Sequence, residues 1–257
     1  MGGKNNMKPI VEVCAGGYED CLNAALGGAD RVELNAALSV GGLTPGAAVL
    51  DRVKQETELE VVCMVRPRAA GFCYSAKEKE LMFEEAGLLL WYGADGIAFG
   101  FLEEDGSIEK ESTAKMIDLI HQKGKEAVFH RAFDVCRDAC ASMELLISLG
   151  ADRVLTSGGQ AKATEGRELL KKLQAAYGDK IQILAGSGVN DQNARELVEY
   201  TGINQVHSSC KGYRKDATTA GEHVSYAYLP APYDQCYEVV DLEKVKKLVS
   251  SLTFNKL

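Results

Sequence analysis

Apolar positions follow two rhythms along this chain. Short runs rich in β-branched and apolar residues, at 10–14, 59–65, 126–131 and 181–185, read as buried parallel strands. Segments at 18–27, 46–56, 76–92, 109–123, 138–149, 163–177, 191–201 and 241–252 carry apolar residues at helical spacing. A recurring phrase links the two rhythms. Gly28-Ala29-Asp30-Arg31-Val32-Glu33-Leu34 returns as Gly93-Ala94-Asp95-Gly96-Ile97-Ala98-Phe99 and as Gly150-Ala151-Asp152-Arg153-Val154-Leu155-Thr156. Gly202-Ile203-Asn204-Gln205-Val206-His207-Ser208 is a degraded fourth copy. Each copy follows a helix and opens a strand: Gly supplies the left-handed turn position, and Asp or Asn closes the turn by bonding backbone.

The interval between copies holds two βα units, so a further strand lies between each pair. Eight strands then alternate with eight helices, which predicts an α/β fold, a (β/α)8 TIM barrel. A doubly wound sheet is the competing arrangement. Helix starts agree with the pattern: Thr44-Pro45, Ser75 with Glu78 as a capping box, and Asn190 ahead of the seventh helix. One barrel domain is expected over 10–252, between a flexible N-terminus at 1–9 and a tail at 253–257. The rhythm breaks once, in the long segment 210–240 after strand eight, which holds Tyr213, Tyr226, Tyr228, Tyr233 and Tyr237. A loop of that length is usually functional, and its tyrosines argue against disorder. A lid over the barrel mouth and an oligomer contact both fit it.

Alternation within strands assigns the inward faces. Glu12 and Cys14, Glu33 and Asn35, Met64 and Arg66, His130, and His207 with Ser209 are expected to point into the barrel. Barrel interiors are normally filled by Val, Ile and Leu, and a buried charge costs several kcal/mol unless paired. A structural ion pair between one glutamate and Arg66 would account for part of this set. The convergence of Glu12, Glu33, His130 and His207 favours chemistry, either as general acid and base or as an N/O site for zinc or manganese. The candidate soft ligands, which would suit copper(I), are Cys14 and Met64, or Cys73 and Cys210 if their loops bend in. Around Phe129-His130-Arg131-Ala132-Phe133-Asp134, parity sends His130 inward and Arg131 outward, with Asp134 in the loop beyond.

An anion site is expected at the strand ends. Gly186 and Gly188 end strand seven ahead of a helix, and Ser208 and Ser209 end strand eight. Ser157 after strand six extends this corner, and Arg66 and Arg68 supply cations.

Composition narrows the classes. The 257 residues are 46% hydrophobic and 26% charged, enough to bury a large core. A net charge of −8 argues against non-specific nucleic-acid binding, so no nucleic-acid partner is expected. No apolar run is long enough for a membrane span, and the polar start lacks the apolar core of a secretory signal. Eight cysteines without a Cys-x-x-Cys pair read as reduced thiols in a cytoplasm.

Taken in order, Val11-Glu12-Val13-Cys14, the first Gly-Ala-Asp phrase, Gly41-Gly42-Leu43-Thr44-Pro45, Arg66-Pro67-Arg68 and Phe72-Cys73-Tyr74-Ser75 form one series. Phe129-His130-Arg131-Ala132-Phe133-Asp134, Arg153-Val154-Leu155-Thr156-Ser157-Gly158 and Val206-His207-Ser208-Ser209 continue it. The series resembles the CutC family of copper homeostasis proteins from about residue 10 to 210. The resemblance implies a single TIM barrel, a cytoplasmic setting, a homo-oligomer, and copper(I) bound by cysteine, with Cys14 matching a family cysteine. A second family cysteine position is Asn35 here, and an amide is a poor copper(I) ligand. Copper homeostasis with copper(I) bound is thus the function implied. The residues themselves also suit an enzyme or binder for a small phosphorylated or carboxylated metabolite, and the tyrosine-rich loop suits a scaffold.

Overall fold

The computed structural model describes Lys8–Thr253; residues 1–7 and 254–257, most of the terminal segments expected at 1–9 and 253–257, lie outside the described residues. Eight parallel strands close into a barrel, with the last pairing to the first. They are β1 (Ile10–Ala15), β2 (Arg31–Leu34), β3 (Glu60–Met64), β4 (Gly96–Phe99), β5 (Glu126–Phe129), β6 (Arg153–Thr156), β7 (Gln182–Gly186) and β8 (Gln205–Ser208). The helices are α1 (Tyr18–Leu26), α2 (Ala47–Glu56), α3 (Ala76–Trp91), α4 (Lys110–His121), α5 (Ala139–Leu149), α6 (Arg167–Tyr177), α7 (Ala194–Thr201) and α8 (Leu242–Ser251). This is the (β/α)8 barrel expected. Among the described residues no helix is long and apolar enough to cross a membrane.

The repeated Asp explains the repeated phrase. Asp30, Asp95 and Asp152 each accept a backbone N–H from the preceding odd strand, at Val11 (2.9 Å), Val61 (3.0 Å) and Ala127 (2.8 Å). Each also donates its own N–H to the carbonyl of that same residue. This two-point clamp fixes the entry of one strand against its neighbour and satisfies a donor at the sheet end.

Boundaries shift where a side chain takes over from the backbone ladder. Strand five ends at Phe129, short of Arg131, because His130 Nδ1 accepts the Ala132 N–H at 3.1 Å and starts a 3-10 turn over Arg131–Val135. The Ser75–Glu78 capping box forms as expected. Thr44 does not cap α2. Its hydroxyl instead bonds the Arg66 carbonyl and Glu85, tying two loops together. Helix six starts at Arg167 rather than 163, because Gly158 packs against Gly166, where a Cβ would meet the Gly166 oxygen at 2.3 Å.

The main core lies between strands and helices, with Val11, Val13, Val32, Leu34, Val61, Ile97 and Phe129 fully buried there. Inside the barrel, Val62, Met64, Ala98 and Val128 form a small apolar cluster. Below it the interior is polar. Arg31 pairs with Glu12 and donates to Gln205 at 2.9 Å, while Arg153 pairs with Glu126 and donates to Gln182 at 3.3 Å. Removing one partner of such a buried pair typically costs about 3–5 kcal/mol.

The segment after β8 has its own structure. β9 (Lys211–Lys215) and β10 (Cys236–Val240) form an antiparallel hairpin, with Tyr213 stacked on Tyr233 at 3.9 Å. Its base is bonded to α1: Val240 N–H donates to Asp20 at 2.7 Å, and Asn23 donates to the Val240 carbonyl at 2.9 Å.

Candidate site at the C-terminal mouth of the barrel

The strand ends open into a cavity of about 290 Å³. Cys14, Glu33, His207 and Ser209 line it, as do Arg66, Phe72 and His130. Leu155, Ser187, Gly188 and the hairpin base at Lys211 and Glu238 add to the wall, as does Arg131, which strand parity sends outward. Of the residues singled out from sequence, the structure brings two groups to this space.

The first group stands on β1, β2 and β8. Glu12 accepts from His207 Nδ1 at 2.7 Å with one oxygen and pairs with Arg31 through the other. Burial works against ionisation of Glu12, but Arg31, His207 and Arg153 outweigh it and hold its pKa at about 2. Burial also disfavours charge on His207. The bonds to Cys14 and Glu12 and the Glu33 carboxylate overcome this and raise its pKa well above the usual value. His207 Nε2 lies on the other side of the ring, 3.9 Å from Glu33. Cys14 Sγ stands 3.8 Å from the same carboxylate. Burial raises the pKa of both Cys14 and Glu33. Cys14 Sγ, a Glu33 oxygen and a His207 ring nitrogen all lie within 4.8 Å of one another, a spacing a metal ion could bridge. Asn35 does not extend this donor set. Its Nδ2 donates to Glu33 at 3.1 Å and approaches Cys14 Sγ at 3.6 Å.

The second group stands just past the ends of β3 and β5. His130 is buried, its ring 4.9 Å from Phe72, and burial with the nearby Arg66 lowers its pKa to about 3. Arg66 lies over the other part of this wall, 5.1 Å from the Phe72 ring. Its guanidinium donates to the carbonyls of Val40 (3.1 Å), Gly42 (3.0 Å) and Ala70 (2.6 Å), which fixes two loops. The structural ion pair weighed as the alternative at Arg66 is found at Arg31, with Glu12.

The remaining anion candidates are spread out. Arg68 is outside the cavity, paired with Glu78 and bonded to the Cys73 carbonyl at 2.9 Å. Ser157 is held by Asp134, which also accepts from Thr156 (2.6 Å), Gly159 (3.1 Å) and Arg131 (2.7 Å). Ser208 donates to the Val189 carbonyl at 2.6 Å. At Gly186 a Cβ would meet Leu155 at 2.6 Å, so glycine there lets Leu155 pack into the mouth. Gly188 and Ser209 do line the cavity, and Gly188 needs its positive φ of 71°.

Sequence reasoning missed Arg31 and Arg153, the cations that neutralise the floor. The signal was present: Arg follows the repeated Asp in two copies, and Arg31 shares the parity of Glu33. It also missed Phe72 and Leu155, which lie beyond any strand pattern or carry no polar group.

Comparison with known proteins agrees with this architecture. The CutC family model matches residues 9–212. A Treponema denticola protein named family protein CutC is 42% identical over 248 residues, 96% of this chain and 100% of the relative. A Homo sapiens protein named copper homeostasis protein cutC homolog is 37% identical over 246 residues, 93% of this chain and 87% of the relative. A crystal structure assigned to a copper homeostasis protein CutC from Streptococcus agalactiae superposes with a TM-score of 0.74 at 29% identity, covering 78% of this chain and 98% of that one. With a family match over most of the barrel and relatives this similar along nearly the whole chain, the protein belongs to the CutC family.

Proposed function

We propose that this chain is a cytoplasmic copper homeostasis protein that takes copper(I) as cargo between Cys14 Sγ and His207 Nε2. The observation that carries the reading is the orientation of His207. Its Nδ1 is engaged by Glu12, which leaves Nε2 on the side of Cys14 and Glu33. A carboxylate behind a histidine fixes the ring and raises its basicity as a ligand. Thiolate and imidazole both suit copper(I), while the harder Glu33 oxygen adds charge balance rather than a preferred bond. The same three donors also suit zinc, so metal preference is part of the test. The names of the Homo sapiens and Streptococcus agalactiae relatives support copper over zinc. Self-association belongs to the same reading, supported by an exposed apolar face on α3.

Anaerobic competition with a chromogenic copper(I) chelator tests the site. One copper(I) per chain is expected, with Cys14→Ser and His207→Gln each weakening it by about 100-fold, roughly 3 kcal/mol. Unchanged affinity in Cys14→Ser, or preference for zinc in direct competition, would overturn the assignment.

A further inference from the structure

We propose that the β3–β5 side of the cavity is a binding site for a small organic monocarboxylate, held by the His130 Nε2–H beside the Arg66 guanidinium. The inference does not depend on copper binding, because neither residue belongs to the Cys14 and His207 donor set.

The tautomer of His130 follows from its backbone contact. Nδ1 accepts the Ala132 N–H at 3.1 Å, so the neutral ring carries its hydrogen on Nε2. His130 is only 2% exposed, and Nε2 has no partner among the described residues. A buried donor left unsatisfied costs about 1–3 kcal/mol, which an acceptor in the cavity would recover. The ring cannot turn away to find another partner. At Gly100 a Cβ would lie 2.6 Å from His130 Cε1 and 2.7 Å from Nδ1, so glycine is what admits the ring. Phe72 packs against the ring as well. The donor is therefore fixed in place before any ligand arrives.

Arg66 sets the charge of the ligand. It is buried, yet its three acceptors are neutral backbone carbonyls, and no acidic side chain pairs with it among the described residues. Its Nε has no hydrogen-bond partner within bonding distance among the described residues, and the Tyr74 hydroxyl beside this guanidinium is likewise unpaired. A buried guanidinium without a counter-charge is costly, and an anion beside it would remove that cost. The other interior cations have acidic partners: Arg31 pairs with Glu12, His207 stands between Glu12 and Glu33, and Arg153 pairs with Glu126. Of these interior cations, Arg66 is the one without an acidic partner, and a single guanidinium fits one carboxylate better than a phosphate dianion. Leu38, Met64, Phe72 and Leu155 line the same space and suit a short carbon chain. A volume of about 290 Å³ is at the small end for ligand sites, so the ligand is a small metabolite.

The test uses the 15N-labelled full chain, observing the His130 side-chain Nε2–H signal during titration with butyrate, with 2-oxobutyrate and with inorganic phosphate. Saturable movement of that signal with the carboxylates, and binding at least about tenfold weaker for phosphate, are expected. By calorimetry, His130→Asn keeps an acceptor for Ala132 N–H but loses the distal donor. It should weaken carboxylate binding by about tenfold or more. A His130 signal unmoved by either carboxylate into the tens of millimolar would overturn the proposal, as would tighter binding of phosphate. Full affinity in a folded His130→Asn variant would do the same. Should that variant fail to fold, the wild-type titration decides alone.

Discussion

His207 and His130 carry the same ring in one barrel mouth and are driven in opposite directions. Glu12 and Glu33 surround His207 and favour its charged form, while His130 sits between Phe72 and Gly100 beside a guanidinium and stays neutral. The second case has a stability consequence. In the unfolded chain His130 titrates near the ordinary histidine value of about 6.5, whereas in the fold its pKa is about 3. The unfolded state therefore binds a proton that the native state refuses between those values. The contribution of His130 is fully present above about pH 6.5 and is lost as pH falls toward 3. Urea unfolding from pH 7 to pH 4 should show wild-type stability falling more steeply than that of His130→Asn. Parallel curves would contradict the neutral, buried assignment. At Asn35 the opposite kind of change is instructive. Its Nδ2 approaches Cys14 Sγ at 3.6 Å, so Asn35→Cys places a second thiol beside the first. Copper(I) affinity should rise by about tenfold or more in the chelator competition, since a second soft ligand replaces a poor one. No gain would argue that copper does not sit next to Cys14.

At the scale of elements, the barrel is held in register by the repeated Asp clamps and opened for function by deviations from the strand pattern. β5 stops early because His130 caps the turn that follows it, and the loop after β6 is organised by Asp134. The hairpin β9–β10 uses its base to wall the cavity, through Lys211 and Glu238, while its tyrosines lie farther out. That division assigns the base to the mouth and leaves the hairpin tip to solvent. α3 is the exception among the helices. Leu81, Leu88 and Trp91 share one face of it, and Trp91 is 80% exposed. Large apolar side chains in a patch suit contact with another copy. Sedimentation velocity of the full chain should give a mass above the monomer's, reduced in Trp91→Glu. A wild-type monomer across the micromolar range would contradict self-association.

For the whole molecule, the fold was legible because it rests on periodicity, and periodicity is a local property of the chain. Eight strands and eight helices follow from apolar spacing, and the Gly-Ala-Asp phrase marks the helix-to-strand turns. The inward set of Glu12, Cys14, Glu33, His130 and His207 was legible for the same reason, since parity survives folding. Pairing was not. Whether Glu12 meets Arg66 or Arg31 depends on which inward residues share a height in the barrel, and strand stagger decides that. Arg66 and Ser157 were both expected at an anion; Arg66 reaches the cavity while donating to loop carbonyls, and Ser157 is bonded to Asp134. Loop contacts of this kind join residues with no fixed sequence spacing.

The central claim is that copper(I) is held by one thiolate and one imidazole, Cys14 and His207. X-ray absorption at the copper edge of the copper(I)-loaded chain tests it most directly. One sulfur and one nitrogen neighbour are predicted, with the sulfur lost in Cys14→Ser. An all-sulfur shell, or a spectrum unchanged by that substitution, would contradict it.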